Sequence, residues 1–179
     1  MVLLHSVSVP LGSPMTDFRL PSTDGKDYSL ASFSDKDILI LVFTCNHCPY
    51  AQAIEERLIQ FQKKYVSDGV QVIAINANDA EKYPEDSFEK MKDKNYPFPY
   101  LRDESQEVAR MYKAQCTPDI YVYDRERKLA YHGRFDDNWQ NEGGVTSHDL
   151  EKAVQVLLKG ERFTGEQVPS MGCSIKWKE

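Results

Sequence analysis

The sequence predicts an α/β fold in which a central mixed β-sheet is flanked by helices. A continuous apolar run from Asp37 to Phe43 is typical of a strand buried on both faces. Apolar residues at helical spacing follow it, and a second apolar run spans Val70 to Ile75. A strand, a helix and a strand in this order form a unit with a right-handed crossover. We therefore expect the first run in the middle of the sheet.

The residues before the first long strand predict an amino-terminal β-hairpin. Thr16 to Leu20 alternates polar and apolar residues, Pro21 to Gly25 supplies a turn, and Asp27 to Leu30 resumes the strand pattern. We expect this hairpin as an extension that precedes the main sheet. After the first long strand, the helix is expected from Pro49, which a first helical turn tolerates, to the region ended by Gly69.

The second half of the chain predicts shorter helices and strands in alternation. A charged segment, Asp124 to Arg127, reads as the turn of an antiparallel pair. The tail from Glu161 to Glu179 shows no strong periodicity. The elements expected here are helices at 87–94 and 105–112 with a short strand at 100–101 between them, strands at 120–123 and 128–134, and an amphipathic helix at 147–158.

Length, composition and charge limit the possible classes of protein. The 179 residues, 41% of them hydrophobic, predict a single domain over 1–179, with a core at about 12–158 and a tail at 159–179. A net charge of −6 disfavours a nucleic-acid binder, because no basic stripe is available to replace phosphate counterions. No apolar run is long enough to span a membrane. The amino terminus does not resemble a signal peptide, so we expect a cytoplasmic protein.

Two of the four cysteines, Cys45 and Cys48, predict a redox centre. They are separated by Asn46 and His47 at a strand-to-helix junction, a spacing that allows a small disulfide ring to close. The positive end of the following helix is expected to stabilise a thiolate at Cys45. Cys45 would then attack a substrate disulfide and Cys48 would resolve the mixed disulfide. Asn46 and His47 would tune the redox poise, His47 by adding positive charge.

The other cysteines leave alternatives open. A zinc site normally needs a second pair of ligands at recognisable spacing, whereas Cys116 and Cys173 stand alone. Each could be a further redox partner or a small buried hydrophobe, and Cys173 could lie on a lid formed by the tail. Thr117 and Pro118 stand at the mouth of a predicted strand, where an ordinary trans turn is the commoner state.

The chain resembles the thioredoxin superfamily, and more narrowly its peroxiredoxin-like redoxin branch, the alkyl hydroperoxide reductase and thiol-specific antioxidant family. The resemblance runs from about Gly12 to Leu158, and the tail is similar to that of an uncharacterised subgroup with a CxxC motif. It implies a thioredoxin-like fold, with Cys45 attacking, Cys48 resolving, and Pro118 in the cis form. Thr117 would offer its backbone to a substrate chain. The residues that carry it are Asp17-Phe18-Arg19-Leu20-Pro21, Asp24-Gly25, Phe43 to Tyr50, Cys116-Thr117-Pro118-Asp119, Gly133 to Asn138 and Gly172 to Trp177.

One departure from the family pattern concerns peroxide chemistry. True peroxiredoxins resemble a pattern with a proline and a threonine or serine seven and three residues before the peroxidatic cysteine, which aligns with Cys48. Those positions here hold Leu41 and Cys45. A thiol-disulfide oxidoreductase is therefore the leading hypothesis. A thiol-dependent peroxidase is the second, and a non-enzymatic binding or zinc-holding module is the third.

The predicted partners follow from this chemistry. They are a protein or small-molecule disulfide, or a peroxide, together with a thiol reductant. No cofactor, metal, nucleic acid or membrane is expected, and the sequence does not predict an oligomeric state. Thioredoxin-like proteins often place a buried ionisable group behind the resolving cysteine. The sequence does not single one out among Lys36, Glu55 and Glu56.

Overall fold

The structure, a computed structural model, describes residues 2–179; Met1, the first residue of the predicted domain, lies outside the described residues. The described residues form short and long strands together with α-helices and single turns of 3₁₀-helix. The elements are β1 (Leu3–His5), β2 (Arg19–Pro21), β3 (Asp27–Ser29), β4 (Ile38–Phe43), α1 (Pro49–Tyr65), β5 (Val70–Asn76), α2 (Phe88–Lys92), β6 (Tyr100–Arg102), α3 (Glu107–Met111), β7 (Cys116–Thr117), β8 (Asp119–Tyr123), β9 (Leu129–His132), α4 (Asp149–Leu158) and β10 (Met171–Ser174).

The main sheet has five strands in the order β6-β5-β4-β8-β9. β4 runs parallel to β5 and antiparallel to β8, so the sheet is mixed and its middle strand is the predicted one. β8 and β9 pair antiparallel, as the sequence predicts for the two strands around the charged turn. The predicted α/β class with a central mixed sheet is therefore confirmed.

Every side chain of β4 is buried, which shows that both faces of the sheet are covered at this strand. Leu39, Leu41 and Phe43 point into a cluster that also contains Val108 of α3. Their alternating neighbours point into a second cluster beneath α1, α2 and α4. This second set consists of Ile38, Ile40 and Val42 from the strand, with Ile54, Leu58, Met91, Leu150 and Val154 from the helices.

The amino-terminal hairpin is present as β2 and β3, which pair antiparallel with Leu20 opposite Tyr28. An isolated bridge between Ser22 and Leu101 attaches this hairpin to the edge strand β6. Two predicted helices are shorter than expected. The helix at Phe88–Lys92 begins after Ser87, whose side chain accepts a hydrogen bond from the Lys90 backbone, and the helix at 107–111 has only five residues.

The predicted irregular tail contains a strand that the sequence does not reveal. β10 lies between β1 and β7 in a separate sheet of three strands. Leu3 is opposite Cys173 on one side, and Cys173 is opposite Thr117 on the other. Both β1 and β10 are too short to show an alternating pattern, and β10 contains Gly172, so local sequence carried no strand signal. Among residues 2–179, no helix is both long and apolar enough to cross a membrane.

Candidate active site

The Cys45/Cys48 pair lies where the middle strand of the main sheet gives way to a helix. β4 ends at Phe43 and α1 begins at Pro49, so Cys48 is the N-cap residue of α1. Both cysteines are thiols, and Cys45 is 2% and Cys48 0% exposed. They pack with Ala51 of α1 and with Cys173 of β10. The Cys45/Cys48 pair is therefore buried within the fold and in contact with the carboxy-terminal strand.

The peptide segment before β8 faces both sulfur atoms. The bond between Thr117 and Pro118 is cis, as the family resemblance implies. Cys45 Sγ lies 3.4 Å from the hydroxyl oxygen of Thr117, and the Cys48 thiol donates to the Thr117 carbonyl oxygen at 3.1 Å. The structure thus brings together the four residues that the sequence predicts for catalysis and substrate binding.

The electrostatic surroundings favour a thiolate at Cys48. A hydrogen bond from the Cys45 thiol lowers the pKa of Cys48 to about 4 against the opposing effect of burial, with further donors in the Cys173 thiol, the Thr117 hydroxyl and the Ala51 backbone. The same hydrogen bond, together with burial, raises the pKa of Cys45 well above its ordinary value. The sequence predicts a helix-stabilised thiolate at Cys45. The helix begins at Pro49 as predicted, but the structure differs because the Cys45 and Cys173 thiols and the Ala51 backbone N–H in the first turn of α1 all donate to Cys48.

This assignment predicts the pH dependence of the reduced protein. We expect one thiolate at pH ~6, well below the pKa of about 8.5 for an unperturbed cysteine. Because the folded-state pKa of Cys48 is lowered, its ionisation contributes stability that is present above the unfolded-state pKa and is lost as the pH falls through the folded-state pKa. Thiolate ultraviolet absorbance and the urea midpoint, both followed between the unfolded-state and the folded-state pKa of Cys48, measure the effect.

Two serine variants provide the comparison for this titration. Cys48→Ser should remove the thiolate signal at low pH and the associated gain in stability. Cys116→Ser should keep both, since Cys116 lies apart from the pair. A thiolate signal in the unsubstituted protein that rises only at pH ~8.5 would contradict the assignment.

The segment between the two cysteines is held by a buried carboxylate, Asp86. This residue has 0% exposure and lies just before α2. The backbone N–H of Asn46 donates to Asp86 at 2.7 Å, and Nδ1 of His47 lies 2.6 Å from the other carboxylate oxygen. The side chains of Asn76 and Asn78 also donate to Asp86, at 3.2 and 2.8 Å. Asp86 therefore fixes the position of the loop that carries the thiols.

The residues predicted to tune the redox centre both contact this carboxylate. His47 is half-buried and stacks on the ring of Tyr83, with ring centroids 5.3 Å apart. A positive charge on His47 would lie near Cys45, but it would also be paired with Asp86. The side-chain oxygen of Asn46 accepts a hydrogen bond from the buried Tyr100 hydroxyl at 2.9 Å. Asn46 and His47 thus connect the thiol loop to the sheet edge.

Asp86 is the residue of the site that sequence reasoning missed. Of the three candidates considered for a buried ionisable group, Glu55 pairs with Lys94 and Lys36 pairs with Asp35. Glu56 accepts from Gln60 on the exposed face of α1. A signal did exist: polar residues end or follow β4 and β5, and the carboxyl ends of parallel strands meet at one sheet edge. Those polar residues are Asn46, Asn76 and Asn78.

The same cluster is the basis for the zinc-holding alternative. Ligand atoms of Cys45, His47 and Asp86 all lie within 4.8 Å of one another. Thiolate, imidazole and carboxylate are all zinc ligands. The short contact between His47 and Asp86 is explained equally well by a hydrogen bond, so the cluster does not by itself require a metal.

The two remaining cysteines differ in their surroundings. Cys116 is fully buried, its thiol points to the Pro118 carbonyl oxygen at 3.7 Å, and burial raises its pKa. Cys173 is 2% exposed and its thiol is in hydrogen-bond contact with Cys48. Burial, followed by this hydrogen bond, raises the pKa of Cys173 to about 12. Of the two, Cys173 is the one that contacts Cys48.

The fold and the site together define a thioredoxin-like redox protein, with a CxxC pair at a helix start opposite a cis-proline. Residues 11–132 match the model of the AhpC/TSA family. The chain belongs to this family, as the resemblance in sequence predicts. No significant match was found among curated protein sequences.

Solved structures similar to this chain include two that cover nearly its whole length. A hypothetical protein from Sinorhizobium meliloti is 45% identical over 97% of this chain and 98% of its own, with a TM-score of 0.92. An uncharacterized conserved protein from Geobacillus kaustophilus is 43% identical over 99% and 97%, with a TM-score of 0.94. A thiol:disulfide interchange protein from Chlorobium tepidum is 21% identical over 86% and 99%, with a TM-score of 0.61, and shares the fold.

Proposed function

We propose that the protein is a thiol-disulfide oxidoreductase whose redox centre is the Cys45/Cys48 pair. The observation that carries this proposal is the position of Cys48 at the N-cap of α1, in contact with the Cys45 thiol and facing Thr117. A thiolate is the form of cysteine that attacks a disulfide, and the hydrogen bonds donated to Cys48 by the Cys45 and Cys173 thiols favour it. Membership of a redoxin family agrees with this chemistry.

The proposed reaction transfers two electrons from the dithiol to a substrate disulfide. The Cys48 thiolate attacks one substrate sulfur, the substrate S–S bond breaks, and one substrate thiolate leaves. Cys45 then loses its proton and attacks the Cys48 sulfur, which releases the second substrate thiol and leaves a Cys45–Cys48 disulfide. A thiol reductant restores the dithiol. These roles are the reverse of those that the sequence predicts for Cys45 and Cys48.

The proposed substrate is a protein or small-molecule disulfide that approaches beside Thr117. Edge pairing with the backbone next to the cis-proline would orient an extended substrate chain that takes the place of β10, the strand paired with Thr117. The cytoplasm as the compartment and a single domain over residues 1–179 remain predictions of the sequence.

A redox titration tests this proposal. The protein is equilibrated across glutathione buffers, the remaining thiols are alkylated, and every disulfide is located by peptide mass mapping. We expect Cys45 and Cys48 to pair reversibly between about −300 and −120 mV. If both cysteines are alkylated at every potential, the dithiol mechanism is wrong.

A thiol-dependent peroxidase is the second candidate function. It is favoured by the lowered pKa of Cys48, the position that aligns with the peroxidatic cysteine of the family. Attack of the Cys48 thiolate on a peroxide would break the O–O bond, release water or an alcohol, and leave a sulfenic acid at Cys48. The Cys45 thiol would then condense with this sulfenic acid to form the disulfide and water. Leu41 and Cys45 still occupy the positions of the family proline and hydroxyl. Peroxide loss no faster than with a free thiol would exclude this activity.

A further inference from the structure

The carboxy-terminal strand β10 occupies the sheet edge beside the cis-proline. It pairs antiparallel with β7, with Cys173 opposite Thr117 and Ser174 opposite Cys116. Addition of an extended strand to such an edge is a common mode of peptide recognition. Under the proposed function, Thr117 is the residue that a substrate chain would pair with. β10 therefore holds the place of a substrate strand, and Cys173 holds the place of a substrate cysteine.

Close contacts fix β10 in this place. A Cβ atom on Gly172 would lie 2.0 Å from the Thr117 carbonyl oxygen, so only glycine allows the strand to approach so closely. On its other side β10 pairs with β1, with Gly172 opposite Leu4. The hydroxyl of Ser170, just before the strand, donates to the Gly133 carbonyl oxygen at 2.7 Å. Pairing with β7 on one edge and with β1 on the other therefore holds β10 in place.

Because β10 lies in this position, Cys48 contacts two other thiols. The Cys45 thiol and the Cys173 thiol are both in hydrogen-bond contact with Cys48. All three residues belong to one buried cluster with Ala51. Cys116 lies on the neighbouring strand, and its thiol instead faces the Pro118 carbonyl oxygen. Contact with Cys48 therefore distinguishes Cys173 from the equally buried Cys116.

We propose that Cys173 is a third redox thiol of this protein, which exchanges with the Cys45–Cys48 disulfide at the sulfur of Cys48. The inference rests on the proposed function. In the step, the Cys173 thiolate attacks Cys48, the Cys45–Cys48 bond breaks, and Cys45 leaves as a thiolate that takes up the proton lost by Cys173. One disulfide is exchanged for another, so no external oxidant or reductant is consumed.

The oxidised state of Cys48 also favours the attack by Cys173. In the reduced protein, burial and then the hydrogen bond to Cys48 raise the pKa of Cys173 and keep it protonated. Once Cys48 is part of a disulfide it carries no negative charge, and that contribution to the raised pKa of Cys173 disappears. Exchange would return Cys45 to the thiol form and leave a disulfide between Cys48 and Cys173 of β10.

The test uses the full-length Cys45→Ser variant exposed to glutathione disulfide, followed by alkylation and peptide mapping. Cys48 should attack glutathione disulfide to give a mixed disulfide, and Cys173 should displace the glutathione thiolate. We expect a Cys48–Cys173 disulfide in this variant and, should it fold poorly, in Cys45→Ala. Detection of Cys48 bound to glutathione with Cys173 alkylated would overturn the proposal, as would pairing of Cys48 with Cys116.

The unsubstituted protein in the same experiment separates this inference from the proposed function. If it forms Cys45–Cys48 while the variant forms no Cys48–Cys173 bond, the third-thiol role is wrong and the dithiol mechanism stands. If neither protein forms a disulfide at Cys48, the proposed function is wrong as well. Adding Cys116→Ser to the Cys45→Ser variant should leave the Cys48–Cys173 bond in place.

A glycine variant tests the seating of the strand. Gly172→Ala, added to Cys45→Ser, should displace β10 and abolish the Cys48–Cys173 bond. In the otherwise unsubstituted protein, Gly172→Ala should leave the Cys45–Cys48 bond able to form. Gly143→Ala is the matched control, because its Cβ meets nothing closer than 3.4 Å. If Gly172→Ala leaves the Cys48–Cys173 bond intact, the role assigned to the strand is wrong.

Discussion

Replacement of Cys48 by serine is expected to abolish disulfide exchange, with a loss on the order of 1000-fold or more. Cys48 has the lowered pKa, and both Cys45 and Cys173 contact its sulfur. Serine cannot form the attacking thiolate or either disulfide, so both routes are lost together. The measurement is the rate of reduction of a small aromatic disulfide by the reduced protein in single turnover. Full activity of Cys48→Ser would contradict the proposed mechanism.

The remaining cysteine variants assign the other roles. Cys45→Ser should retain part of the activity, because Cys173 can still resolve a mixed disulfide at Cys48. The double variant Cys45→Ser and Cys173→Ser should trap that mixed disulfide as a stable species. Cys116→Ser should exchange disulfides at the rate of the unsubstituted protein. If the double variant turns over as fast as the unsubstituted protein, neither thiol resolves the intermediate.

Replacement of Asp86 by alanine is expected to destabilise the reduced protein by about 3 kcal/mol. The fully buried carboxylate accepts from the Asn46 backbone, Asn76 and Asn78, and it contacts His47. Removing it leaves these polar groups buried without their acceptor, which costs the desolvation of each. Urea unfolding of the reduced protein at neutral pH measures the change.

The control for this change is another aspartate, Asp93, which caps the carboxyl end of the adjoining helix α2. Asp93→Ala removes a carboxylate that is 72% exposed and lies 3.7 Å from Lys90. An exposed pair of this kind contributes about 0 to 1 kcal/mol, so little change is expected. Equal unfolding midpoints for Asp86→Ala and the unsubstituted protein would show that the carboxylate does not hold the thiol loop.

Asp86 also bears on the reactivity of the thiols. Its negative charge adds to the hydrogen bond with Cys48 and to burial in raising the pKa of Cys45. The stability and redox effects of Asp86 can be separated with Asp86→Asn, which keeps the size of the side chain and removes its charge. That variant should lower the pKa of Cys45.

Much of the fold could be predicted because its main elements carry strong local signals. The buried run of β4 and the helical spacing of α1 are visible in the sequence, and they place Cys45 and Cys48 at the junction. The cis form of Pro118 was implied only by resemblance to a family. Local sequence favours trans at such a bond, and the structure has cis.

The rest depends on contacts between distant segments. In the sequence, nothing distinguishes Asp86 from its acidic neighbour Glu85. The role of Asp86 arises only when the fold brings it into contact with residues at the ends of β4 and β5. The start of α1 at Pro49 is as the sequence predicts, but the thiolate is favoured at Cys48 instead of Cys45 because Cys173, brought in by the distant strand β10, is among the groups that donate to Cys48. The strand β10 is stabilised by its pairing partners and has no periodic pattern of its own.

The pairing of β1 with β10 joins the two ends of the chain, with Leu3 opposite Cys173. Contacts between residues so far apart in sequence carry the largest loop-closure entropy and form late in folding. During synthesis the segment with Cys45 and Cys48 emerges from the ribosome long before β10 does. The nascent protein is therefore expected to present its dithiol openly, and enzymes or oxidants could modify it in a period that ends when the last residues dock.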